Sequence, residues 1–482
     1  MSRLVVGPFN RVEGDLEVRI ECGDGTVTNA EVVSPLYRGF ERILLNKPPL
    51  DALVYAPRIC GICSVSQSVA AAHALADAMD ITPPRNGSLA VNLVHAVENI
   101  ADHLTHFYLF FMPDFARPVY QSEPWFEDIS SRFTAMKGTA VETVLPARAQ
   151  FLHIMGILAG KWPHTLSIQP GGSTRTVAGA ETARLKAILV AFRRFLERTL
   201  FGAPLEQIVA LETEDALLAW SSDKAPNTSD FGRFLQVSEA LGLSELGRSS
   251  GNFLSYGAYQ MGGAPLFAQG VWRNGDLTDF SPQSVAEDLT SSWYKPNGLE
   301  APSVGTTDPD ADKESAYSWC KAPRLDGEIM ETGALARQLI DGHPMICDLV
   351  ARHGGSVHTR VVARLLEIAR TVLAMEDWIS QLEPGGAFID HTAIPDQAEG
   401  IGLTEAARGS LGHWLSIKKG KIANYQIIAP TTWNFSPRDR NGNPGPLEQA
   451  LVGAPVREGE TDPVAVQHIV RSFDPCMVCT VH

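Results

Sequence analysis

NGSLAVNLVHAVENIADHLTHFYLFF, residues 86–111, carries apolar side chains at helical spacing along its whole length. A polar Asn-Gly-Ser start suits a helix N-terminus, and Pro113 sets a stop just beyond the end. Upstream, SVSQSVAAAHALADAM (64–79) is Ala-rich and begins directly after Cys63. Two later stretches share the same period. In ETARLKAILVAFRRFLERTL (181–200), Leu185, Ile188, Leu189, Phe192, Leu196 and Leu200 fall on one face. In TRVVARLLEIARTVLAMEDWI (359–379), Val362, Leu365, Ala369, Val372 and Trp378 do the same. Long amphipathic helices must bury their stripes against one another, so the expected fold is mainly α (α+β), with a central bundle of long helices.

Outward from the bundle, residues 4–33 alternate apolar and polar positions around Gly23-Asp24-Gly25, which predicts a small N-terminal antiparallel β element. Residues 202–330 are rich in Gly, Pro, Ser and Asp, with short β-like pieces among long irregular loops. No internal repeat or low-complexity linker interrupts the chain. The expectation is a single domain over 1–482, β-rich over 1–45 and helical with loops over 46–482.

Composition narrows the function. The chain has 482 residues, a hydrophobic fraction of 44% and a formal charge of −15, with a mean hydropathy of −0.04. That suits a globular protein and argues against sequence-independent binding to nucleic acid or anionic membrane, which needs a basic surface. The N-terminus MSRLVVGPFNRVEGDLEV lacks the charged-then-apolar architecture of an export signal, and HFYLFFM is too short to span a bilayer. Seven cysteines in so long a chain suit a reducing compartment, so the expected location is cytoplasmic.

Four of those cysteines form two C-x-x-C pairs, Cys60/Cys63 in RICGIC and Cys476/Cys479 in DPCMVCTVH. Each pair can place two sulfurs on one cation, and together they could close a tetrahedral zinc site. A thioredoxin-like redox pair needs only one C-x-x-C. Zinc is disfavoured because the pairs lie at opposite ends of the chain, whereas zinc-ribbon pairs usually sit a few tens of residues apart. His482 adds an imidazole and a carboxylate beside the second pair.

Read in order, the motifs RVEG (11–14), YRGFE (37–41), RICGIC (58–63), HFY (106–108), AGKWPH (159–164), SWCKAPR (318–324), ARGSLGHW (407–414), PTTWN (430–434) and DPCMVCTVH (474–482) resemble the large subunit of nickel–iron hydrogenases along almost the whole chain. The resemblance implies nickel held by all four cysteines. Cys63 and Cys479 would bridge to an iron carrying CO and CN, and Cys60 and Cys476 would be terminal on nickel. It also implies Mg2+ held by Glu41, His482 and the backbone carbonyl of Ile428.

The same resemblance implies roles for neighbours. Glu13 matches a proton-gate glutamate, which would relay a proton from Cys476. Arg408 matches a guanidinium above the metals, with Asp114 and Asp474 as carboxylates of the same canopy. Thr432 would donate to a cyanide. Ala407 stands where the family usually has proline. His73, His95, His103 and His106 are expected to be packed or hydrogen-bonded rather than ligating, and His164 has no assigned role.

Three departures point toward one branch. Gln67, facing the cofactor, stands where most members have histidine. Ile62 and Phe110 replace smaller valine and leucine along a gas channel, which they should narrow. The chain ends at His482, as a processed product would. Together they resemble the hydrogen-sensing, regulatory branch: an O2-tolerant cytoplasmic H2 sensor controlling hydrogenase gene expression. The energy-conserving uptake hydrogenase is the alternative, and an inert structural subunit would be expected to lose cysteines. The implied reaction is H2 ⇌ 2 H+ + 2 e−, with Cys476, ahead of Arg408, as the base. Cys22, Cys320 and Cys347 are too scattered to build clusters, so an iron–sulfur small subunit is the implied partner, with a histidine protein kinase as a further one.

Overall fold

The computed structural model describes residues 2–223, 225–261, 264–295 and 298–482. The N-terminal alternation folds as expected. Strands β1 (Ser2–Val6), β2 (Glu17–Gly23) and β3 (Thr26–Val33) form an antiparallel sheet in chain order. Asp24 and Gly25, between β2 and β3, have φ of 51° and 75°. Positive φ at both central residues is what a tight two-residue hairpin loop requires.

The long helices are α1 (Ser64–Ala78), α2 (Arg85–Thr105), α3 (Gly179–Phe195) and α4 (Val357–Gln381). The apolar stripes read on 181–200 and 359–379 are buried at every position named above. The segment 86–111 is not one uniform helix, however. After Thr105 the chain widens into a π-helical turn over His106–Phe111, then tightens to a 3-10 turn over Met112–Ala116 containing Pro113. Such π-turns concentrate at functional sites because they re-aim side chains without ending the helix.

The 202–330 region holds short antiparallel pieces, with Phe253–Ala258, Phe267–Arg273 and Asp276–Thr278 pairing in order. A further sheet was not foreseen. Strands β4 (Gln397–Ala406), β5 (Gly409–Lys418) and β6 (Lys421–Ile428) form an antiparallel meander. Its first strand lies on the Ala-rich α1: a Cβ at Gly400 or Gly402 would run into the α1 backbone at Ala74 and Ala70. Small residues on both partners let the strand approach the helix this closely. A short α5 (Val464–Ser472) then leads to the terminal cysteine pair. The protein is mainly helical, with small antiparallel sheets and long irregular connections, and no described helix is long and apolar enough to cross a membrane.

Candidate metal centre

Folding brings the two ends of the chain together. Cys60 and Cys63 lie just before and at the start of α1, and Cys476 and Cys479 follow α5. All four are free, buried thiols, and their sulfurs lie within 4.8 Å of one another. Cys60 Sγ is 3.5 Å from Cys476 Sγ, Cys63 Sγ is 3.2 Å from Cys479 Sγ, and Cys476 Sγ is 3.0 Å from Cys479 Sγ. Thiol hydrogen bonds, first from Cys476, hold Cys60 well below the ordinary thiol range, while Cys63 and Cys479 are held well above it. One sulfur can ionise cheaply here, but further negative charge in so dry a cluster needs a cation. The donor set, four soft sulfurs without water access, fits a thiophilic transition metal.

The N-terminal motif crosses the same point. Glu13 bridges to Cys476 as a parallel β-bridge: Glu13 N donates to Pro475 O at 3.4 Å, and Met477 N donates to Glu13 O at 2.7 Å. Partial burial, and then the charge of Cys60, push the Glu13 carboxyl above its ordinary range. A half-buried carboxyl beside the terminal thiols, poised upward, can accept a proton from them and pass it outward.

Above the thiols lies Arg408, in the two-residue turn between β4 and β5. Its Nη1 and Nη2 donate to Asp102 at 2.6 and 3.1 Å, its Nη2 to Asp474 Oδ1 at 3.1 Å, and its Nε to Asp474 O at 2.9 Å. Two buried carboxylates share one guanidinium, and they divide it unequally. Burial pushes Asp102 up to about 8 despite Arg408, whereas at Asp474 burial is opposed by Arg408 together with His106, Arg364 and His103, and their combined charge pulls it down. Asp102 was missed in the sequence. It lies four residues before His106 on the apolar helix α2, and a carboxylate there, on a buried face, was the available signal.

Asp114, expected in this canopy, sits elsewhere. It accepts hydrogen bonds from Arg11, from Arg471 at 2.7 Å and from His468 Nδ1 at 3.2 Å. Ala407, in place of proline, does not leave the turn loose. Arg337 donates to Ala406 O at 2.8 Å and Ala407 O at 3.1 Å, and is itself gripped by Glu367 and Glu405.

Thr432 Oγ1 is buried with no partner, a bare hydroxyl available to a ligand. Gln67 Oε1 instead faces His413 Nε2 at 2.9 Å, and His413 Nδ1 faces Tyr425 Oη at 2.8 Å. Ile62 is half-buried with its amide 3.3 Å from Cys60 Sγ, while Phe110 is half-buried in the π-turn with its carbonyl accepting from Arg11 Nε at 3.3 Å. His73, His95, His103 and His106 are hydrogen-bonded to Leu403 O, Ser66 Oγ, Glu367 and Arg471 O, away from the thiols. His164 Nδ1 meets Pro57 O at 2.9 Å, just ahead of the first cysteine pair.

A second polar knot lies at the chain end. Glu41 Oε1 is 3.4 Å from His482 Nε2 and accepts from Ile427 N at 2.8 Å, next to Ile428 at the end of β6. Lys321 of SWCKAPR, given no role in the sequence, bonds Glu41 at 3.1 Å, Glu287 at 3.2 Å and Gln426 at 2.8 Å. Glu287 Oε1 is buried and unpartnered. Two carboxylates against one lysine, with one oxygen bare, fit a hard divalent cation.

Four converged sulfurs from opposite ends of an α-rich chain, under a buried guanidinium and beside a half-buried carboxyl, define a protein with a buried thiolate metal site. Comparison with known proteins supplies the particular family. The nickel-dependent hydrogenase family model matches residues 38–123 and 234–482. The large subunit of the periplasmic [NiFeSe] hydrogenase of Desulfomicrobium baculatum is 30% identical, over 100% of this chain and 95% of that one. The hydrogenase-2 large chain of Escherichia coli is 28% identical over 100% and 97%, and the uptake hydrogenase large subunit of Rhizobium leguminosarum bv. viciae 29% identical over 100% and 95%. The solved Desulfomicrobium baculatum [NiFeSe] hydrogenase matches at TM-score 0.86 and 29% identity, covering both chains fully. The chain belongs to the nickel-dependent hydrogenases as a large, catalytic subunit, an oxidoreductase acting on H2.

These relatives correct the branch read from the sequence. The Desulfomicrobium baculatum relative is a periplasmic hydrogenase and the Rhizobium leguminosarum one an uptake hydrogenase, and both match over the whole chain. The O2-tolerant, cytoplasmic, regulatory reading and its cytoplasmic location are therefore set aside, and nothing in the comparisons carries the histidine kinase. The sensor reading rested on the end of the chain at His482 and on substitutions at three positions, Gln67, Ile62 and Phe110. Gln67 is engaged with His413, Ile62 packs half-buried against the core, and Phe110 is half-buried in the π-turn.

Proposed function

We propose that this chain is the active-site subunit of an energy-conserving uptake hydrogenase, which cleaves H2 heterolytically and delivers the electrons to an iron–sulfur small subunit. The convergence of four buried thiols beneath Arg408 and beside Glu13 carries the reading. When bound, a nickel–iron pair with CO and CN on iron supplies the electrophilic centre that polarises H2. Cys60, Cys63, Cys476 and Cys479 would hold it.

The chain's own residues do the rest. Cys476 takes the proton, and Glu13, whose backbone runs alongside it, carries it away. Arg408 is locked by Asp102 and Asp474, so its charge is already in place over the reacting face and needs no reorganisation. Thr432 offers its free hydroxyl to a cyanide. Glu41, His482 and the carbonyl of Ile428 would hold Mg2+, with Lys321 and Glu287 around it.

Electrons would leave through another polypeptide, because the remaining cysteines, Cys22, Cys320 and Cys347, join no second sulfur cluster among the described residues. The test is H2-dependent reduction of a viologen dye by the purified two-subunit complex. Sustained turnover in the parent and its loss in Cys476→Ser are expected. A parent complex loaded with metal that reduces no dye under H2 would overturn the reading.

A further inference from the structure

Beside the arginines that bind Asp114 lies a polar pocket of about 160 Å3. Arg11, Arg117 and Arg471 line it, with Asn10, Gln467 and Asp462, and Asn10 and Asp462 at its rim are exposed. Three guanidiniums gather here, and the carboxylates do not balance them. Asp114 is already bound by Arg11, Arg471 and His468, which leaves the exposed Asp462 as the one other acid.

The arginines also have unused donors. Arg117 Nε and Nη1 are taken by Asp114 O at 3.1 Å and Gln467 Oε1 at 2.9 Å, but its Nη2 is buried without a partner. Arg471 is 1% exposed, and its Nη groups bind Asp114, Gln467 and Asn10 while its Nε has no acceptor. The cluster pushes on itself. Burial lowers Arg11 from its ordinary value, and though Asp114 opposes this, the charges of Arg471 and Arg117 lower it further. Clustered cations with spare, buried donors beside a polar pocket suit the holding of an oxyanion. The space is roughly ten times that needed by one water, about 15 Å3.

We propose that this pocket is a binding site for a small tetrahedral oxyanion of the phosphate class, gripped by Arg11, Arg117 and Arg471. The amides of Asn10 and Gln467 supply neutral contacts, and Asp462 at the rim disfavours larger polyanions. Arg11 lies two residues before Glu13, so an occupied pocket clamps the loop that carries the proton relay. The inference stands on these residues and does not depend on which metals the thiols hold.

The test uses the purified complex, melted in phosphate and in chloride at the same pH and ionic strength. Phosphate should raise Tm by about 1–3 °C at saturation for a chain of this size. Arg117→Gln should abolish that increment, and Arg117→Lys, which keeps the charge without the fork, should retain part of it. Equal melting of the parent in the two salts, or an undiminished phosphate increment in Arg117→Gln, would overturn the proposal. Should Arg117→Gln fail to fold, 31P line broadening of phosphate by the parent, reversed by sulfate but not by chloride, decides it. Absence of broadening counts against the site.

Discussion

Glu98 of α2 sits where α1 begins, and its replacement by leucine has an effect that should depend on pH. The N-cap of α1 is Cys63, whose side chain makes no capping hydrogen bond. The orphan donors are satisfied from outside. Val65 N and Ser66 N each donate to the Glu98 carboxyl at 2.8 Å, and Trp162 Nε1 donates at 2.9 Å. Glu98→Leu leaves two buried backbone N–H groups and the half-buried Trp162 Nε1 unpaired, at about 1–2 kcal/mol each, so roughly 3–6 kcal/mol is lost. One term opposes this. Burial raises the Glu98 carboxyl to about 7 from an ordinary value of 4.5. Because its folded value is raised, the stability it contributes is fully present below pH 4.5 and is lost as pH rises through 7. The loss amounts to about 3 kcal/mol by pH 8. Leucine escapes that loss. The parent should therefore out-melt Glu98→Leu by several degrees at pH 5, and the gap should shrink to about half or less at pH 8. Thermal melts of the purified complex at pH 5, 6, 7 and 8 measure it. A gap that widens with pH would show that Glu98 acts as an ionised cap, and would refute the reasoning.

Other consequences can be checked separately. Glu13→Gln should leave the metal centre assembled yet suppress H/D exchange, since an amide cannot relay a proton; exchange at the parental rate would mean another exit. Asp102→Ala leaves the buried Arg408 with Asp474 alone, a cost of about 3–5 kcal/mol, and should shift the infrared bands of the iron ligands. Asp114→Ala should destabilise the fold and leave those bands in place, so the two spectra compared test the reassignment of the canopy carboxylate. Gly402→Val puts its side chain into the α1 backbone at Ala70, which cannot yield. Soluble expression should collapse, and a normal yield would contradict the close strand–helix packing.

Periodicity made the long helices legible, because a buried stripe repeats along one element and needs no knowledge of its partner. The N-terminal hairpin was legible because Gly23-Asp24-Gly25 names its own turn. The β4–β6 meander was harder to see: β5 is buried on both faces, so GSLGHWLSIK shows no clean alternation. The four cysteines could be read because spacing and chemistry coincide. Periodicity alone did not say which of Asp102, inside α2, and Asp114, just past the π-turn, would meet Arg408. Only the π-turn between them decides which one faces Arg408. Lys321, Arg337 and Glu287 act by pairing across distant segments, and such pairing leaves no local pattern.

The central claim is that Cys60, Cys63, Cys476 and Cys479 hold nickel and iron together. Metal analysis of the purified complex, taken with its infrared spectrum, tests this most directly. Nickel and active-site iron in equal amounts are expected, with bands from CO and CN that vanish in Cys479→Ser. Active protein containing zinc alone at these thiols, with no such bands, would contradict the account.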